Sequence, residues 1–123
     1  MGYRSYREQA QLFEYWSEVA KEGENTMSAV KAGHSEHQSG LALDINSTQM
    51  SFVGTAAEEW LKANCQKYGF ILRYPEDKVA VTGCAWEPWH IRYVGKDLAE
   101  KLYNDGKWIT LEEYFGIPSE YMK

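Results

Sequence analysis

SEHQSGLALDI, residues 35–45, carries a structural pattern and a chemical one. Its second half alternates. Leu41, Leu43 and Ile45 fall on one side of an extended chain, and Ala42 and Asp44 fall on the other. This predicts a β-strand with its core face on the leucines. Asp44 then lies on the opposite face beside a small residue, with room next to it. The first half ends a polar stretch and places His37 seven residues before Asp44. Farther on, WEPWHIRYV (86–94) supplies His90 at the start of a second predicted strand, after the punctuation of Pro88. If the two strands are neighbours, His37, Asp44 and His90 can converge.

The flanks are well signposted. Ser5 followed by Glu8 forms a capping box, and Leu12, Phe13, Trp16, Val19 and Ala20 follow at helical spacing, with Gly23 as the stop. Residues 23–40 read as a long, glycine-punctuated loop of the kind that carries function. A second helix is predicted from a capping box at Thr55, with Ala57, Trp60, Leu61, Cys65 and Tyr68 as its apolar stripe and Gly69 as its end. FILRY (70–74) reads as a strand, PEDK (75–78) as a hairpin turn and VAVT (79–82) as the return strand. A short helix is expected near 96–104. A further helix opens with TLEEYF (110–115) and closes at Gly116. Helices mixed with a central cluster of strands indicate an α+β domain.

At 123 residues the chain is expected to be a single domain, 1–123. Aromatic residues make up 15%, with five Trp and nine Tyr, enough both to fill a core and to wall a cleft. The net charge of −5 and the lack of a Lys/Arg run argue against a nucleic-acid partner. No apolar run approaches a membrane span and no signal peptide opens the sequence. The two cysteines, Cys65 and Cys84, are too few for a disulfide scaffold. One bridge is conceivable, and two buried free thiols are the slightly favoured expectation.

Two chemistries compete for the polar residues. A catalytic zinc takes three protein ligands and keeps an open position. His37, Asp44 and His90 offer suitable donors, and Glu87, three residues before His90, is placed to move protons to and from a water. By spacing alone the same residues read equally as a loop cap, a turn acceptor and a core histidine. His34, three residues before His37, is an alternative ligand, set aside because Asp44 lies on a stiffer element.

Four segments resemble one family. SEHQSGLALD is similar to the S-x-H-x-x-G-x-A-x-D motif of the VanY-like zinc D-alanyl-D-alanine carboxypeptidases, and EPWH (87–90) is similar to their E-x-x-W-H. GYRSYREQ (2–9) resembles their G-Y-R-S-x-x-x-Q segment. YGFILRYPEDK (68–78) with TGCAWEPWHIRYVG (82–95) resembles the C-terminal half. The likeness covers nearly the whole chain in the family's order.

The resemblance implies a hedgehog/D,D-peptidase fold, a small antiparallel sheet flanked by helices. It implies one Zn2+ on His37, Asp44 and His90, with Glu87 as general base and acid. Arg4 would polarise the scissile carbonyl and stabilise the oxyanion, a task that suits a permanently charged, forked donor. Gln9 and Ser35 would bind the terminal carboxylate of the substrate, and Trp86 and Trp89 would wall the cleft. From the residues alone, Arg4 reads as a solvated arginine, Gln9 as an exposed helix residue and Ser35 as a turn hydroxyl.

The implied activity is removal of the C-terminal D-alanine from peptidoglycan stem peptides or precursors, by a monomer at the cell surface or wall. An L,D-carboxypeptidase acting on tetrapeptide stems and a non-catalytic wall-peptide-binding module are the alternatives. Glu87 argues against the module, which needs no base beside a metal. Family members commonly carry more chain before GYRSY, so an N-terminal segment or anchor is expected to precede these residues. Trp86 stands where the family commonly has tyrosine, which would narrow the cleft.

Overall fold

The computed structural model describes residues 1–21 and 30–122. Its centre is a three-stranded antiparallel sheet of β1 (Ala42–Asp44), β2 (Phe70–Leu72) and β3 (His90–Tyr93), in the order β1-β3-β2. The register sets Asp44 opposite His90, Leu43 opposite Ile91 and Ala42 opposite Arg92; Ile71 then lies beside Arg92 on the far side. Cross-strand partners share a face, so Ala42, Asp44, His90, Arg92 and Ile71 line one side of the sheet.

Helices surround this sheet. α1 (Tyr6–Lys21) starts at a reciprocal box: Ser5 Oγ accepts from the Glu8 N–H at 3.2 Å, and the Glu8 carboxylate accepts from the Ser5 N–H at 2.8 Å. The expected stop at Gly23 lies outside the described residues. α2 (Ala56–Asn64) is capped by Thr55 and continues as a 3₁₀ turn to Tyr68. Gly69 ends that turn at φ +88°, where a Cβ would sit 2.7 Å from the Tyr93 ring, so only glycine fits. α3 (Val79–Thr82) and α4 (Lys96–Tyr103) follow, and α5 (Leu111–Phe115) opens with a complete Thr110–Glu113 capping box and ends at Gly116. The core gathers Phe52, Leu61, Cys65, Ile71, Ile91, Ala99, Leu102 and Trp108 from several of these elements. Cys65 and Cys84 are both buried and unbridged. Among the described residues no helix is long and apolar enough to cross a membrane.

Four expectations are corrected. VAVT is a helical turn, closed by Gly83 at φ +71°, and PEDK is a 3₁₀ turn rather than a hairpin. β2 pairs with β3 instead, and the β-branched run that suggested a return strand forms a helical turn. The covered side of β1 is that of Ala42, wholly buried, while Leu41 and Leu43 are 40% and 37% exposed. β1 is an edge strand, and the turn carrying His37 packs against it, so the leucine side overhangs the core. On α2, Leu61 and Cys65 are buried but Ala57, Trp60 and Tyr68 are exposed, the last two rings lying against each other at 5.9 Å.

Candidate metal centre

His37 comes from the 3₁₀ turn Glu36–Ser39. Ser35 caps that turn by accepting the His37 N–H at 3.3 Å, and Gly40 ends it in the left-handed conformation. Asp44 and His90 come from paired positions on β1 and β3. The three ligand atoms lie within 4.8 Å of one another: Asp44 Oδ1 is 3.3 Å from His37 Nε2 and 3.4 Å from His90 Nδ1. Glu87 Oε2 lies 3.1 Å from the same His90 nitrogen. His34 is exposed and outside this group.

The far nitrogens decide what the near ones offer. His37 Nδ1 is 2.8 Å from the Gly2 carbonyl, and His90 Nε2 is 2.7 Å from Glu36 Oε1. Neither oxygen can donate, so each of these nitrogens carries the hydrogen. In the neutral rings the lone pairs of His37 Nε2 and His90 Nδ1 therefore face Asp44 Oδ1, which is buried and has no hydrogen-bond partner. With both rings neutral, three buried donors of electron density point at one spot, an arrangement that a metal ion, or a proton on His90, satisfies. Burial works against the His90 imidazolium, but the Asp44, Glu36 and Glu87 carboxylates around it outweigh that and raise its pKa well above the usual histidine value. Burial likewise works against the Asp44 carboxylate, and the two histidines hold its pKa far below the usual range. The donors fit a zinc ion in number and kind: two imidazole nitrogens and one carboxylate oxygen, with no fourth ligand in the group among the described residues.

A cleft of about 480 Å³ opens over this cluster. Arg4, Gln9, Ser35, Trp86, Glu87 and Trp89 all line it. Arg4 is tied down at three points: its backbone N–H donates to the His37 carbonyl at 3.0 Å, and its guanidinium donates to Gln9 Oε1 at 2.7 Å and to Met1 Sδ at 3.0 Å. A second guanidinium nitrogen is 4.0 Å from Asp44 Oδ2. Gln9 is 1% exposed, not the exposed helix residue its position suggested, and its amide also donates to the Val30 carbonyl at 2.6 Å. Leu12 and Trp16 of α1 line the same cleft, so part of the stripe of that helix serves as a cleft wall.

Sequence reasoning passed over Glu36, Arg73 and Tyr74. Glu36 binds His90, Arg73 and Arg92 together. Burial alone would raise its carboxyl pKa, but the His90 bond and the two guanidiniums hold it at about 2. The only local signal was a carboxylate adjacent to a ligand histidine; its partners His90, Arg73 and Arg92 come from distant positions. Tyr74 is buried and packs on the His90 ring with centroids 4.8 Å apart.

The family profile for VanY, D-alanyl-D-alanine carboxypeptidase, matches residues 1–96. The chain belongs to this family. The VanY match takes in all three metal-ligand candidates, Glu87 and Arg4. A D-alanyl-D-alanine carboxypeptidase of Enterococcus faecium is 43% identical over 99% of the chain, which spans 36% of that protein. The structure of the LD-carboxypeptidase LdcB, described for its recognition of peptidoglycan, superposes with a TM-score of 0.80 at 39% identity, covering 96% of this chain and 57% of that one. A mutant of the vancomycin-resistance D,D-pentapeptidase VanY in complex with Zn(II) superposes with a TM-score of 0.77 at 38% identity, covering 93% and 68%. The chain thus has the α+β D,D-peptidase fold of these structures and spans well under half of the curated relative.

Proposed function

We propose that this protein is a zinc metallocarboxypeptidase that removes the C-terminal D-alanine from D-Ala-D-Ala-ending peptidoglycan stem peptides or precursors, acting at the cell wall. The observation that carries the reading is the convergence of two imidazole lone pairs and an orphaned carboxylate oxygen at the floor of a cleft. Family membership supports the substrate class.

His37, Asp44 and His90 would hold the ion. Zinc bound there supplies Lewis-acid polarisation of the scissile carbonyl and lowers the pKa of a bound water. Glu87 stands 3.1 Å from His90 and reaches the cleft, so its carboxylate accepts the proton of the attacking water and returns it to the leaving amine. Arg4 lines the cleft 4.0 Å from Asp44, where its fork serves the developing oxyanion or the terminal carboxylate. Gln9 has both ends engaged and acts by holding Arg4. Ser35 supports the turn that presents His37. Trp86 and Trp89 line the cleft.

The test measures the amino acid released from a pentapeptide stem, its C-terminal amide and a tetrapeptide stem. Release from the pentapeptide, at least about tenfold faster than from the amide, is expected, since each hydrogen bond lost from the charged terminus costs about 1.5–3 kcal/mol. Release from the tetrapeptide alone would replace the reading with an L,D-carboxypeptidase, which the likeness to LdcB also supports. Equal rates on the amide would indicate an endopeptidase.

A further inference from the structure

We propose that Glu36 is the positioning residue for His90, and that a chain of charges running out to α5 holds it in place: Arg73 and Arg92 clamp Glu36, and Glu112 clamps Arg73. The inference rests on the metal-site reading and adds residues outside the ligand set.

The geometry is continuous. Glu36 Oε1 accepts from His90 Nε2 at 2.7 Å, and its other oxygen accepts from Arg73 Nε at 3.1 Å and Arg92 at 3.0 Å. The remaining edge of Arg73 meets Glu112 through two parallel bonds of 2.6 and 2.8 Å. Two carboxylates and two guanidiniums make the cluster neutral, and the side chains of Glu36, Arg73 and Glu112 are only 11%, 13% and 10% exposed. The long side chain of Arg73 is held in one arrangement because its whole fork is filled by Glu36 and Glu112.

The consequence falls on His90. With Nε2–H committed to Glu36, only Nδ1 can turn towards Asp44 and Glu87, and the ring cannot flip without breaking a buried charge-assisted bond. The clamp itself ends at Glu112, beyond the 1–96 span of the family profile, so a feature of the C-terminal helix governs the ligand.

Zinc affinity, measured by competition with a chromophoric chelator, tests this apart from turnover. Glu36→Ala is expected to weaken binding about 10- to 100-fold. Glu36→Gln, which keeps one acceptor for His90, is expected to weaken it less and guards against misfolding of the alanine variant. In zinc-loaded wild type, proton NMR should show a downfield His90 Nε2–H resonance that disappears in Glu36→Ala and is lost or shifted in Glu36→Gln. Folded variants that bind zinc like wild type would overturn the proposal while leaving the metal site standing. Wild type that binds no zinc would overturn both.

Discussion

Replacing Gln9 by methionine keeps the volume of the side chain and removes both of its hydrogen bonds. One is the 2.7 Å bond that fixes the Arg4 guanidinium, and the other is the 2.6 Å bond to the Val30 carbonyl. A bond to a charged group is worth about 1.5–3 kcal/mol, so an Arg4 released from its anchor should cost about 10- to 100-fold in kcat/KM. The orphaned Val30 carbonyl should separately cost about 1–3 kcal/mol of stability. Arg4→Ala should cost more, about 100- to 1000-fold, as removal of an oxyanion donor does. The decisive assay is the cycle of the two substitutions on a D-Ala-D-Ala-terminated peptide, with urea unfolding run alongside. If Gln9 works through Arg4, adding Gln9→Met to Arg4→Ala should change kcat/KM by less than about twofold, although stability still falls. Fully additive losses in kcat/KM would refute the argument and give Gln9 its own contact with substrate.

Glu87→Gln should retain zinc and the fold while turnover falls about 100- to 10,000-fold; near wild-type turnover would move the base elsewhere. Burial pushes the thiols of Cys65 and Cys84 up to about 12 from an ordinary value near 9. The unfolded chain therefore releases these protons first, and stability is lost as pH rises above 9. From pH 8 to pH 10 the two thiols should together cost about 3 kcal/mol, read from urea unfolding under reducing conditions. A flat profile over that interval would contradict burial of the free thiols.

Much of this fold was legible because its punctuation is local. Ser5 with Glu8 and Thr110 with Glu113 form the capping boxes their spacing predicts, and Gly69 and Gly116 end their elements. The ligand candidates were legible because their types and order are those of a family, and β1–β3 pairing sets Asp44 directly opposite His90. What failed depended on tertiary neighbours. Alternation in LALDI separates two faces but cannot say which is covered, and the packing of the His37 turn chose the side of Ala42. VAVT has the composition of a strand, but β2 finds its partner in β3 and the segment forms a helical turn closed by Gly83. Glu36 was invisible as a partner of His90 because the bond spans 54 positions and needs Arg73 and Arg92 brought to the same face of the sheet.

The central claim is best tested by chiral analysis of the alanine released from a pentapeptide stem by chelator-stripped protein before and after one equivalent of zinc. The account predicts no release from the stripped protein, release of D-alanine on reconstitution, and loss of both bound zinc and release in His37→Ala or His90→Ala. Undiminished release from stripped protein, or wild-type zinc content in both variants, would contradict it.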